Sequence, residues 1–240
     1  MRTGNVIQIF LAGASGYIGS IIKSELSNSI SLPIFNISRN DFKFLEGENS
    51  VDRKVVINAA GTTETSKHRN RESNIEYPIQ LFDYVAGRVD LYLHLSTTLL
   101  NELPIDESNE YLTSKREAEK LLLLGSTATS THLGILRIPS IWSSKFTKPK
   151  SLFQYLVNSK APVDSRGLIS PRKLCHIGTE MTFCQNLLNL IWADQSFFEP
   201  GTKSYLRTTP IELIKRLNAN EASSPLEKSL QEILIKQRSV

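Results

Sequence analysis

The sequence predicts an α/β fold in which a doubly wound parallel sheet carries helices on both faces and a small lobe follows at the C-terminal end. Three observations predict it. Short apolar, β-branched runs alternate with amphipathic segments of helical rhythm as far as Ile138. The first run passes directly into a glycine-rich turn, Gly13-Ala14-Ser15-Gly16-Tyr17-Ile18-Gly19, which opens the first helical segment. Strands separated by crossover helices pair in parallel, with the helices on the sheet faces.

The elements follow in order. Val6–Ala12 (VIQIFLA) is apolar enough for a strand buried on both faces. Gln8 interrupts it and glycines end it, so it reads as a strand and not as a secretion signal. Tyr17–Leu26 has helical spacing, and Ile34–Ser38 is a short second strand. Val55–Ala60 (VVINAA) is a third strand, followed by a polar loop and a helix through Asn74–Ala86. Leu91–Ser96 returns to strand. Tyr111–Leu124 is a helix with Glu117, Glu119 and Lys120 on its outer side, and Leu133–Ile138 is the next strand.

Beyond Ile138 the pattern loosens. Ser143–Lys150 is polar, Leu152–Val157 is helical, and Ser165–Arg172 is a loop bearing Gly and Pro. Thr179–Trp192 is a clear helix. Thr209-Pro210-Ile211-Glu212 starts another, with threonine as N-cap, proline at the first position and glutamate reaching back. Asn218–Pro225 is a polar linker before a last helix, Leu226–Gln237. The expected organisation is a core at 1–142 and a reduced lobe at 143–240, interleaved with elements of the core.

Composition narrows the function classes. Of 240 residues, 40% are apolar and 22% charged, which suits a soluble domain with a real core. No run of about 18 apolar residues is present, so no membrane partner is expected. Two cysteines, Cys175 and Cys184, cannot staple a chain of this length, and free thiols suit a reducing cytoplasm. With His176 they lack the spacing of a tetrahedral zinc site, and no metal is expected. The net charge of +4 is spread along the chain. Lys145–Lys148–Lys150 and His68–Arg69–Arg71 read as solvated faces, with no nucleic-acid groove. Glu64 and His68 belong to the polar loop after the third strand. A small anionic ligand fits this balance.

The glycine-rich turn carries the strongest chemical signal. After a strand and before a helix, Gly13 permits a tight turn, Gly16 lets the backbone approach a pyrophosphate, and Gly19 allows close helix–sheet packing. Ser15, Tyr17 and Ile18 complete a loop whose helix N-terminus offers N–H groups to phosphate. Ser38-Arg39 ends the second strand, where an acidic residue suits a free ribose 2′-hydroxyl and an arginine a 2′-phosphate. Arg39 therefore favours NADP(H) over NAD(H). Tyr111 and Lys115 lie four apart on one helix face, and a nearby ammonium draws a phenol's pKa down toward the working range. The hydroxyls of Ser96, Thr97 and Thr98 sit at the carboxyl edge of the strand before that helix, where ligands bind in open α/β sheets.

In order along the chain, GASGYIG, VINAAG (Val56–Gly61), ESNIEYPIQL (Glu72–Leu81), LST (Leu95–Thr97), YLTSK, ILRIPSIW (Ile135–Trp142) and PRKLCHIG (Pro171–Gly178) resemble the extended short-chain dehydrogenase/reductase family. These are Rossmann-fold, NAD(P)-dependent nucleotide-sugar epimerases, dehydratases and ketoreductases. The resemblance spans about residues 6–217. It implies Tyr111 as general acid, Lys115 as holder of the nicotinamide ribose and Thr97 as third catalytic hydroxyl. It implies that Ala59, Ala60 and Gly61 line the cofactor, that Pro139 and Ile141 lie near the nicotinamide, and that Arg172 contacts a substrate diphosphate. His176 falls at a strand end, in a structural role. Two helices, Asn74–Ala86 and Tyr111–Leu124, often pair across a twofold in this family, so a homodimer is expected, with Leu121–Leu124 either core or dimer face.

The resemblance also bears on reaction type. Sugar dehydratases of this family carry an Asp-Glu pair after the catalytic threonine, where this chain has Thr98-Leu99. The leading expectation is NADPH-dependent reduction of a keto group on a nucleotide-activated sugar. The alternatives are a nucleotide-sugar epimerase and a catalytically silent NADP(H)-binding sensor or scaffold.

Overall fold

A computed structural model describes residues 7–29, 33–39, 45, 53–63, 67–102, 109–146, 175–192, 197–199 and 206–238. Its main sheet has six parallel strands: β1 (Ile7–Ala12), β2 (Ile34–Ile37), β3 (Arg53–Asn58), β4 (Leu91–Thr97), β5 (His132–Ile138) and β8 (Phe197–Glu199). Their spatial order is β2-β1-β3-β4-β5-β8. The chain leaves β1 on one side for β2 and returns on the other for β3. The strand order therefore reverses beside β1, which is where a doubly wound sheet opens a crevice at its carboxyl edge. Among the described residues no strand lies between β2 and β3.

Both sheet faces are covered. On one face β1, β3 and β4 turn Ile7, Ile9, Leu11, Val55, Ile57, Leu91, Leu93 and Leu95 toward α1 (Tyr17–Ser29) and α6 (Glu180–Trp192), which contribute Ile21, Ile22, Leu26, Phe183 and Leu187. On the other, Phe10, Val56 and Tyr92 meet the chain that rises after β3. That chain comprises α2 (Lys67–Arg71), a π-helical turn (Glu72–Glu76) and α3 (Tyr77–Val85), and Leu122 of α5 (Glu110–Ser126) joins it. The alternation of apolar sides along each strand is the period-2 geometry of a strand with two packed faces.

A second, three-stranded sheet runs β6-β7-β9, formed by Ser140–Trp142, Cys175–Thr179 and Leu206–Thr208. β6 pairs parallel to β7, and β9 antiparallel to it. Helices α7 (Pro210–Asn218) and α8 (Pro225–Arg238) cover it through Leu213, Leu217, Leu230, Ile233 and Leu234 around the buried Trp142. Thr209 caps α7 as expected, its hydroxyl accepting from the Glu212 N–H at 3.2 Å, with Pro210 opening the helix. A four-residue helix, α4 (Leu99–Glu102), follows β4.

Several expectations need correction. β3 starts at Arg53 and stops at Asn58, because the Asn58 side chain turns back to accept the Ala60 N–H at 3.1 Å and ends the strand before Ala59. The helical chain after it begins at Lys67, well before Asn74. Glu119 does not face outward. It is buried, and Arg137 of β5 chelates its carboxylate at 2.9 and 2.6 Å. Leu122 is core, whereas Leu121, Leu123 and Leu124 are exposed. The expectations for Glu64, for Leu152–Val157 and for Ser165–Arg172, including Arg172, lie outside the described residues.

Candidate active site

The glycine turn follows the carboxyl end of β1 and leads into α1. Gly13 has φ 77°, and a Cβ there would stand 2.6 Å from the Ala60 backbone nitrogen. The loop can therefore lie against the end of β3 only with glycine at that position. A Cβ on Gly19 would stand 2.0 Å from the Gly13 carbonyl oxygen, which seats α1 against the loop. Gly16 differs: its Cβ would meet only that oxygen, at 3.3 Å, and Ser15 and Gly16 both face solvent. This leaves bare backbone at the N-terminus of α1, where N–H groups can meet an anion. Tyr17 contributes differently from expectation, since its phenol donates to the Ile141 carbonyl at 3.0 Å and ties α1 to β6. Ile141 and Pro139 are both buried; Ile141 belongs to the core, and Ile18 and Ala59 pack against it.

Across the crevice, β4 and α5 bring Thr97, Tyr111 and Lys115 together. Thr97 ends β4, near enough to the Tyr111 phenol to favour its ionised form. Asn109 caps α5 by accepting the Leu112 N–H at 3.2 Å, which fixes the turn that carries Tyr111. Lys115 is buried one turn later, its Nζ donating to the Leu95 carbonyl at 3.2 Å. A Cβ on Gly61 would stand 3.2 Å from that Nζ and 2.9 Å from Asn74 Oδ1, so the loop after β3, Lys115 and the π-helical turn converge on one point.

Burial governs the protonation of these groups. It pushes the Lys115 ammonium down to about 8, against an ordinary 10.5, while Glu119 pulls the other way. The Tyr111 phenol lies above its ordinary value: burial raises it, and the neighbouring Thr97 side chain opposes only in part. Lys115 does not draw the phenol down here, contrary to the expectation from their spacing. Its Nζ donates to the Leu95 carbonyl, and burial is the largest influence on the phenol. His94, buried behind Lys115, is held neutral by burial and by that neighbouring cation.

Sequence reasoning missed Asn74. In the π-helical turn its amide nitrogen shares two protons among three acceptors, the Thr62 carbonyl at 3.0 Å, Asn70 Oδ1 at 3.1 Å and Ser114 Oγ at 3.1 Å. Its Oδ1 accepts the Thr62 N–H at 2.9 Å. This one side chain locks the loop after β3 to α5 beside Lys115. The signal was present as Asn70 and Asn74, two amides four apart on one helix face, both fully buried. Arg39 reaches the same turn: its guanidinium donates to Ser73 Oγ at 2.6 Å, lies 3.6 Å from the Glu72 carboxylate, and covers the Tyr77 ring at 5.4 Å. Ser38, beside it, is exposed.

No family model and no curated protein matches the chain. Solved structures do. RMD from Pseudomonas aeruginosa, complexed with NADPH, superposes with a TM-score of 0.68 at 16% identity over 98% of this chain and 99% of that one. MoeE5, in complex with UDP-glucose and NAD, gives 0.66 at 17% identity over 88% of this chain and 82% of that one. UDP-glucuronic acid 4-epimerase from Bacillus cereus, in complex with NAD, gives 0.64 at 16% identity over 90% and 83%. This chain has the Rossmann-type fold that these proteins share.

Proposed function

From that fold we propose that this chain is an NAD(P)-dependent oxidoreductase that reduces a keto group on a nucleotide-activated sugar. The observation that carries the reading is the convergence of Thr97, Tyr111 and Lys115 at the carboxyl edge of β4, facing the glycine turn across the switch point. A polar triad whose threonine and lysine are buried, with the lysine displaced from its ordinary pKa, is the kind of arrangement that does chemistry and costs stability.

A nicotinamide dinucleotide bound there supplies the hydride. The chain's own residues do the rest. Gly13, Ser15, Gly16 and the first turn of α1, with Tyr17 and Ile18 through their backbone, would hold the pyrophosphate, and Ala59, Ala60 and Gly61 would line its flank. Ser38 and Arg39 would face the adenosine ribose, where Arg39 supports NADPH. Pro139 and Ile141, buried in the structure, would lie near the nicotinamide, and Lys115 would hold the nicotinamide ribose. Tyr111 donates its proton to the carbonyl oxygen. Its raised pKa keeps it protonated at neutral pH, as a proton donor must be. Thr97 orients the same oxygen. Arg172 is proposed to contact the substrate diphosphate. The partition into a dinucleotide-binding part at 1–142 and a substrate lobe at 143–240 belongs to this reading. So does a homodimer that would cover the exposed Leu121 and Leu124. Epimerisation uses the same groups and is the second reading, favoured by the likeness to an epimerase fold.

Tyr111→Phe removes the proton donor and leaves the ring. The expected outcome is a fall in kcat by about 10²–10⁴-fold with dinucleotide affinity nearly unchanged, measured by NADPH oxidation with nucleotide-linked keto sugars and by calorimetry. Turnover at the unmodified rate would place the proton donor elsewhere. Binding of dinucleotide without turnover of any such sugar or its epimer would favour a silent binder.

A further inference from the structure

We propose that Glu72 opposes Arg39 at the adenosine end of the site and so sets how strongly a 2′-phosphate is preferred over a free 2′-hydroxyl. The inference rests on the reading of the glycine turn and Arg39 as a dinucleotide site, and it adds a residue that neither the β2 end nor the glycine turn contains.

The placement is structural. Arg39 follows β2, next to β1 and its glycine turn, yet its guanidinium is held from the opposite side of the crevice by the π-helical turn. Ser73 takes one donor at 2.6 Å, and Tyr77 lies beneath at 5.4 Å. The Glu72 carboxylate stands 3.6 Å from the guanidinium. The wider winding of a π turn gives this stretch two outlets: it sends Asn74 inward to Thr62 and Ser114 while Ser73 meets Arg39. Both side chains of the ion pair are about half open to solvent, at 47% for Arg39 and 48% for Glu72. A ligand can therefore reach them without unfolding anything.

The chemistry follows from charge. A 2′-phosphate arriving on Arg39 brings about two negative charges beside an existing carboxylate. Part of what it gains from the guanidinium is lost to repulsion and to displacement of the ion pair. A free 2′-hydroxyl meets the opposite situation, because a carboxylate accepts its hydrogen bond and no charge is opposed. Glu72 thus provides from the helix side the acidic group that the β2 end lacks, while Arg39 provides the cation. One site then serves both dinucleotides, with Glu72 as the counterweight.

The test uses adenosine 2′,5′-bisphosphate and ADP as probes, titrated by calorimetry into the whole chain, so that neither nicotinamide nor turnover enters. Glu72→Gln should raise the preference for the bisphosphate by about two- to fivefold, as expected for a half-exposed charge. Glu72→Lys should raise it further, by about tenfold. The effect should shrink as salt screens the charges. Arg39→Ala should abolish the preference in every background. If Arg39→Ala acts as stated and neither Glu72 variant moves the ratio, this inference fails and the dinucleotide site stands. If the unmodified chain binds neither probe, both fail. Glu72 is a solvent-facing helical position, and an unchanged circular dichroism spectrum and melting temperature confirm that the comparison is between folded proteins.

Discussion

A methyl group at Gly19 and one at Gly16 would meet different fates. At Gly19 the new carbon would lie 2.0 Å from a backbone oxygen that cannot swing away, so α1 would have to leave its seat on the loop. Gly19→Ala should therefore lose at least about 3 kcal/mol of stability, the upper end of overpacking costs, read from urea unfolding. Gly16→Ala meets one oxygen at 3.3 Å and otherwise open space. It should stay within about 1 kcal/mol of the unmodified protein while weakening dinucleotide binding. In the sequence the three glycines are one motif; only the backbone distances separate the one that builds the fold from the one that leaves room for a ligand. Asn74 illustrates the opposite difficulty. An asparagine inside a helix reads as a weak helix former, and its hydrogen bonds to Thr62, Asn70 and Ser114 join segments that no local pattern connects.

At the scale of elements, α5 was legible in its extent and misjudged on one face. Charged residues on a helix default to solvent, which puts Glu119 with Glu117 and Lys120. The residue that draws it inward is Arg137, on the neighbouring strand β5, and its guanidinium also donates to Asn101. This pair joins helix to sheet one turn beyond Lys115, and both side chains are largely withdrawn from solvent. Arg137→Met would leave a buried carboxylate without its partner, and a loss of about 3–5 kcal/mol is expected. The double variant Glu119→Leu/Arg137→Met should recover most of it, because an apolar pair of similar volume carries no desolvation cost. Urea midpoints of the two variants against the unmodified protein decide the matter; a double variant no better than the single would mean that the pair is not the source. The small sheet was illegible for a simpler reason. β6 and β9 are three residues each, shorter than any window in which alternation can be counted.

The buried Lys115 makes the stability of the whole molecule depend on pH. Its folded pKa of about 8 lies below the unfolded 10.5, so the native state binds fewer protons than the unfolded state between those values. Stability then rises with pH across that window, and below about 8 the molecule carries the full cost of a buried cation. That cost is roughly 3 kcal/mol. Lys115→Met should melt higher than the unmodified protein at pH 7, with the advantage fading as pH rises toward 10.5. A Met variant that is less stable at pH 7, by calorimetric melting, would show that the bond to Leu95 outweighs desolvation. A stabilised, inactive variant is the signature expected where a fold gives up stability for chemistry.

The sixth strand carries a consequence for synthesis. β8 pairs Phe197 with Gly134 and Glu199 with Leu136, closing the outer edge of β5 with a segment made roughly sixty residues later. At ordinary elongation rates the ribosome needs roughly 3–12 s to deliver it. During that interval the nascent chain presents the open backbone of a buried, apolar strand, a template for wrong pairing with another chain. Nascent chains stalled between Ile138 and Phe197 should therefore be the stage at which this protein depends most on a holding chaperone.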